Sequence, residues 1–492
     1  MTRFTLQVGI RVATTGNKPQ KPVRANRSTS LSCVTRRYWI ETLGCPKNQV
    51  DSDKLVGTLL DDGMTLAADA ASADLVVINT CAFIEAARQE SIDTVLSLTE
   101  NKKKGAKVVV TGCMAERYGD ELAEALPEVD RVVGFGVPIA LGATKPKGTT
   151  KTAKGTNQAT KATKATKATK STGTGTGTKQ SALDIEAQRP IPSLDLLNLS
   201  RPKSTLPWAY IKIAEGCNRS CGFCAIPSFR GPQRSRSVAS ILDEVDQTGA
   251  KEIVLVAQDL ASYGVDEPES LGAGAIVDLV KAVTKKAKRT RLLYLYPSDL
   301  TDSLVDAILR TDVPYFDLSL QHVSKSLLRR MRRWGDGDRF LKRIETIRSW
   351  DSEAAFRSNF IVGYPGETEE DHDQLLRFVE AAQLDWCGFF EFSREVGTYA
   401  YDLDAQIPAS VMRERLLELN ELQDRITARR RDALIGKTVE VLVDEPGVGR
   451  THREAPEIDG IVSIPTSLGV GTFHEVIVVS AEGPDLTAEL VS

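Results

Sequence analysis

From Arg37 the chain alternates between short apolar runs and longer amphipathic stretches. "RYWIETL", "DLVVINT" and "KVVVTG" are brief and rich in β-branched residues, the pattern of buried strands. Between them, Gln49–Asp62 and Phe83–Glu100 carry helical spacing. Strand and helix alternate, which predicts a parallel α/β sheet over residues 37–142. The same alternation returns in "AYIKIA", "EIVLVAQD", "RLLYLYP", "YFDLSLQ", "FRSNFIVG" and "CGFFEFS". Six β/α repeats over 205–435 predict a partial (α/β) barrel, whose active site belongs at the C-terminal strand ends. A long polar helix, Ala409–Ile435, ends that region. From Gly436 to Ser492 the period changes to two, in "KTVEVLVDE", "IDGIVSI", "HEVIVVSAEG" and "DLTAELV" with glycine turns between. That pattern predicts a small β-barrel. The fold class is therefore α/β multidomain.

Two segments carry no hydrophobic period. Residues 1–36 read as a disordered basic arm. Its Arg/Ser content also resembles a transit peptide, and a translation start near Val34 is an alternative. Residues 143–185 contain "TKATKATKATKSTGTGTGTK", a low-complexity tract that cannot bury a core and reads as a solvated linker. The 492 residues suit about three domains. No run approaches the roughly 18–20 apolar residues of a membrane span, and no signal-peptide core is visible, so a cytoplasmic protein without a membrane partner is expected.

Charge changes the picture. The formal net charge is −3, yet residues 1–37 hold eight Lys/Arg and 145–179 hold nine Lys, with no acid in either. Without these segments the remainder carries about −20. An acidic body disfavours a nucleic acid held through its phosphates. Residues 436–492 hold three basic and ten acidic residues. This module is expected to dock a basic macromolecule, with Asp444, Glu445 and Asp459 among its docking charges.

Eight cysteines in a chain with no sign of export point to metal or redox chemistry. "EGCNRSCGFCAIPSFRG" places Cys217, Cys221 and Cys224 just past the first barrel strand, with no fourth cysteine or histidine nearby. Thiolates hold iron–sulfur clusters or zinc. A four-iron cubane held by three cysteines keeps one iron open, as a catalytic zinc keeps an open position. The alternative is a zinc knuckle with a remote fourth ligand. A second triad is spread over "TLGCPKNQ", "INTCAFIE" and "VTGCMAER". Cys45, Cys81 and Cys113 each follow a predicted strand, and a parallel sheet brings such strand ends to one edge. They are the candidate ligands of an auxiliary cluster. Cys33 and Cys387 read as bystanders, and His322 ends a barrel strand.

The C-x3-C-x2-C spacing with Phe223 inside it is the signature of radical S-adenosylmethionine (SAM) enzymes. "NFIVGYPGE" resembles the glycine-rich strand of that superfamily, which implies SAM contacts from Gly363 and Pro365 beside Phe223. From Arg37 onward the whole chain resembles the radical SAM methylthiotransferases, with a cluster domain, a radical SAM barrel and a C-terminal TRAM module. The resemblance implies two 4Fe-4S clusters, SAM as radical source and methyl donor, an electron donor of unknown identity, and conversion of C–H to C–S–CH3. "AIPSFRG", "LSLQHVSKSLLRRMRRWG" and "EVGTYAYDL" resemble the RimO branch, whose substrate is an aspartate β-carbon in small-subunit ribosomal protein twelve. The MiaB-like branch, acting on tRNA adenosine, is the alternative, and "RRMRR" at Arg329–Arg333 is a basic patch that suits RNA or a solvated helix face. A zinc or electron-transfer protein is the non-enzymatic alternative.

Overall fold

The computed structural model describes residues 36–139 and 194–491. Residues 1–35 of the arm, the whole linker 143–185 and Cys33 lie outside these residues. The first sheet is parallel throughout, in the order Thr65–Leu66, Arg37–Thr42, Leu75–Thr80, Lys107–Gly112, Arg131–Val132. Its central strand Leu75–Thr80 is buried at every position, as a strand covered on both faces must be. The first helix, Pro46–Asp61, begins three residues before its expected start. Pro46 sits in its first turn, where a missing N–H costs nothing.

The barrel is two three-stranded parallel sheets, Arg289–Leu292, Glu252–Val256, Trp208–Lys212 and Tyr315–Gln321, Ala355–Val362, Trp386–Glu391. A single bridge, Leu295 to Leu318, joins them. Trp208–Lys212 and Trp386–Glu391 are edges that do not pair with each other, so the barrel is partial. Alternation sorts the side chains. Ala209, Ile211, Ile253, Leu255, Phe316 and Phe356 pack with Ile241, Leu279 and Ile344 of the surrounding helices. Trp208, Tyr210, Val254, Tyr315 and Trp386 form a separate cluster on the other face, together with charged Lys212, Glu252, Arg291 and Arg357.

The C-terminal module is a closed barrel of Thr438–Glu445, Val448–Arg450, Val462–Ser463, Asp485–Leu490 and Phe473–Glu482. It is fastened by the segment 450–459. Ala455 enters the Trp208/Tyr210/Trp386 cluster. Tyr210 Oη donates to Pro456 O at 3.0 Å, Trp386 Nε1 to Arg453 O at 2.7 Å, and Tyr315 Oη to Asp459 at 2.7 Å. Arg450 meets Glu252 at 3.1 Å, and Glu252 also holds Arg291 at 2.7 Å, all three out of water.

This fastening corrects the reading of the acidic module. Asp459 is fully buried against Arg357, and Asp444 pairs with Arg450, so neither is a docking charge. Glu445, Glu475, Glu482 and Glu489 remain exposed. Among the described residues no helix is long and apolar enough to cross a membrane.

The described residues flanking the linker meet. Leu194 N–H donates to Gly136 O at 3.1 Å, and Leu194 and Leu196 pack on the cluster that buries Ile139. Loop closure costs little more for a long tether than for a short one. Deleting 160–176 is therefore expected to leave the melting temperature and activity near wild type, and a large fall in either would show that the tract makes contacts. Arg450→Met leaves Glu252 and Asp444 short of a buried partner. It is expected to cost about 3–5 kcal/mol in denaturant unfolding; a loss below about 1 kcal/mol would show that the ion network does not hold the module.

Candidate metal centres

Each cysteine of the first domain stands at a strand-to-helix turn. Cys45 occupies the N-cap position of Pro46–Asp61, Cys81 follows Thr80, and Cys113 opens the helix Cys113–Ala125. The turn before Cys113 needs glycine. Gly112 has φ +93°, and a Cβ there would stand 2.2 Å from Asn79 Oδ1. Asn48 ties the three strand ends together. Its Nδ2 donates to Leu43 O at 2.9 Å and Thr80 O at 3.2 Å, and its Oδ1 accepts from the Cys113 thiol at 3.4 Å. Burial pushes the Cys81 thiol up to about 12, with further upward pressure from Cys113 and Cys45, so the three are electrostatic neighbours. Burial raises Cys113 also. Burial pushes Cys45 upward too, but Lys47, backbone N–H groups and Arg230 outweigh it and lower that thiol.

The second triad lies in a loop gripped from two sides. Cys217 N–H donates to Gly231 O at 3.1 Å and Gly222 N–H to Met331 O at 2.8 Å, while Gly222 O accepts from Ala400 at 2.7 Å. A Cβ on Gly222 would stand 2.8 Å from Tyr364 Oη, so only glycine fits the close approach. Burial lifts Cys217 to about 11 and Cys224 to about 12, and each feels Cys221. Arg333 Nη1 donates to Cys221 Sγ at 3.3 Å.

Among the described residues no three His, Cys, Asp or Glu side chains are gathered tightly enough for a single metal ion. A cubane is larger, and each thiolate takes its own corner. The donor sets suit it, since each holds three neighbouring thiols. Thiols kept neutral by burial are converted to thiolates when a cationic metal core arrives, with release of protons.

The two triads share a seam. The helix Ile226–Arg230 leaves Cys224 and runs under the first domain, placing Ala225 and Phe229 in one core with Cys113 and Met114. Arg230 crosses the seam. Its Nη2 donates to Cys113 Sγ at 3.0 Å and to Asn48 Oδ1 at 2.8 Å, and its Nη1 meets Asp51 at 3.0 Å and Glu215 at 3.0 Å. Lys212 completes the group with Asp51 and, at 2.7 Å, Glu215. Burial raises the Glu215 carboxyl, but Arg230 and Lys212 hold it down at about 2. Lys47 Nζ stands 3.3 Å over the Tyr294 ring. Farther out, Glu395 of the barrel receives Arg88 at 2.6 Å and Arg117 at 2.8 Å from the first domain.

Phe223 packs half-buried against the barrel core. Gly363 has φ +80° and gives its N–H to Glu367, and the space a Cβ would take is filled by Met412. Pro365 is buried in the turn that follows. His322 is buried, which holds its pKa near 3, and its Nδ1 accepts the Ser324 N–H at 3.0 Å. Cys387 lies on the Trp386–Glu391 strand with Arg357 and Asp385 as its charged neighbours, apart from both triads. "RRMRR" is not one helix face. The helix ends at Arg330, Arg332 stacks on Tyr399, and Arg333 turns inward to Cys221.

Comparison with known proteins finds relatives for the chain. Family models match residues 37–134 (uncharacterized protein family UPF0004), 211–379 (radical SAM superfamily) and 435–491 (TRAM domain). The ribosomal protein uS12 methylthiotransferase RimO of Salinispora tropica is 39% identical over 488 residues, covering 92% of this chain and 95% of that protein. The proteins of the same name from Kineococcus radiotolerans and Streptomyces avermitilis are 38% and 40% identical, covering 93% and 92% of this chain and 98% and 96% of theirs. A likeness of that extent, end to end and across all three modules, shows that the chain belongs to the ribosomal protein uS12 methylthiotransferase (RimO) family.

Proposed function

We propose that this protein is a cytoplasmic radical SAM methylthiotransferase that converts a β-C–H bond of an aspartate in ribosomal protein uS12 to C–S–CH3. The observation that carries the reading is the seam, where one residue of the barrel, Arg230, touches a thiol of the other domain's triad. Cys217, Cys221 and Cys224 would hold one 4Fe-4S cluster, and Cys45, Cys81 and Cys113 the other. When bound, such clusters supply one-electron reduction and an iron with an open coordination position. An electron donor outside this chain is required.

The chain's own residues supply placement. Gly222, pinned between Met331 and Ala400, fixes the loop of the barrel triad. Arg333 and Arg230 each donate to one thiol of a triad, and such donors orient ligands and stabilise thiolate charge. Phe223, Gly363 and Pro365 are proposed to lie along the SAM site, Gly363 through backbone alone because Met412 fills its open side. Glu445, Glu475, Glu482 and Glu489 give the C-terminal barrel an exposed acidic surface, complementary to a basic ribosomal protein and repulsive to phosphates.

Anaerobic reconstitution is expected to load about eight irons per chain, four for each cubane. Cys81→Ala is expected to lose about half, to keep SAM cleavage and to give no methylthiolated product; wild-type product from this variant would remove the auxiliary triad from the reaction. Cells lacking the enzyme are expected to contain uS12 without its methylthio mass while tRNA adenosines are unchanged. The reverse pattern in mass spectrometry would transfer the protein to the tRNA reading. Reversing Glu445, Glu475, Glu482 and Glu489 to lysine is expected to slow association with uS12 and to flatten its salt dependence; unchanged association would place the docking surface elsewhere.

A further inference from the structure

Arg230 is not an ordinary ion-pair residue. Its side chain is 3% exposed, it lies over the Phe135 ring at 4.1 Å, and both terminal nitrogens are committed. Nη1 serves the carboxylates Asp51 and Glu215. Nη2 is left for Asn48 and Cys113 Sγ. A neutral thiol is a poor acceptor, so a guanidinium donor aimed at sulfur makes most sense opposite a thiolate. Lys47, Lys212 and Arg230 are buried around this triad against the carboxylates Asp51 and Glu215. Asp317 also faces Lys47, so the charges nearly balance, and the guanidinium aimed at sulfur is the feature that suits a four-iron core held by three thiolates, which carries net negative charge.

We propose that Arg230 is a positioning residue of the auxiliary centre: from the barrel it orients the Cys113 sulfur across the domain seam and raises the reduction potential of the cluster held there. The proposal rests on the reading of Cys45, Cys81 and Cys113 as a four-iron site. Charge-assisted hydrogen bonds to ligand sulfur stabilise the reduced, more negative cluster, which shifts its potential upward. The contact also makes the auxiliary centre sensitive to the barrel's own cysteine loop, because Arg230 is six residues from Cys224.

The test uses full-length protein carrying Cys217→Ala, Cys221→Ala and Cys224→Ala, so that only the auxiliary cluster reports. With arginine labelled by 15N in the guanidino group, double-resonance spectroscopy of the reduced cluster is expected to show a 15N coupling that Arg230→Lys removes. Arg230→Met is expected to lower the potential and to speed iron loss to a chelator by about 10–100-fold. Arg230→Lys, which keeps the charge but not the fork, is expected to lower the potential less. About four irons with no 15N coupling would overturn the proposal and leave the four-iron reading intact, whether or not the variants fold. An iron-loaded Arg230→Met with wild-type potential and release would overturn it too. No iron at this triad would sink the four-iron reading, and the proposal with it.

Discussion

Four charged side chains, Asp51, Lys212, Glu215 and Arg230, meet largely out of water where the first domain rests on the barrel. Charges in such a place are stable only while each keeps a partner, and removing one strands the rest. Asp51 belongs to the helix that Cys45 begins, and Glu215 stands two residues before Cys217. Arg230 ends the helix that follows Cys224. Three of the four members of the ion group are therefore attached to backbone that carries a cysteine. The placement of the two thiol triads relative to each other follows from it, and so does the proposed chemistry, which needs a carbon radical made beside one centre to meet sulfur held at the other.

The opposite side of the barrel is closed by a second group of buried charges. Glu252, Arg291 and Arg450 lock segment 450–459 against Tyr210, Tyr315 and Trp386. A partial barrel presents an inner face that must be covered. Here the C-terminal module covers part of it with Ala455 and the first domain contributes Val50. The barrel's two neighbours are thus part of its core rather than appendages, which explains why Asp444 and Asp459 are committed to arginines instead of to the surface.

The strands and the grouping of six cysteines into two triads were legible because both follow from local pattern. Apolar runs mark strands, and a cysteine directly after a parallel strand must lie at the sheet edge with its fellows. Partners could not be read this way. Arg230 and Cys113 are 117 positions apart, and nothing in "SFRG" says which of many acids or thiols the guanidinium will meet. Asp444 and Asp459 looked like surface charge because a count of acids carries no information about which of them a distant arginine neutralises. Gly363 was expected to contact SAM; its φ of +80° shows why glycine stands there, and the space beside its Cα belongs to Met412, 49 residues on. Arg333 was hidden inside a basic run whose helix stops three residues earlier.

The central claim is that the ion group at the seam holds two open clusters close together in one fixed arrangement. The most direct measurement is the electron paramagnetic resonance spectrum of the fully reconstituted, reduced protein, compared with the added spectra of Cys81→Ala and Cys221→Ala chains. Fixed proximity predicts spin–spin interaction, seen as features absent from the sum and weakened when Asp51 is replaced by Asn. A spectrum equal to the plain sum of the two single-cluster spectra would contradict the account.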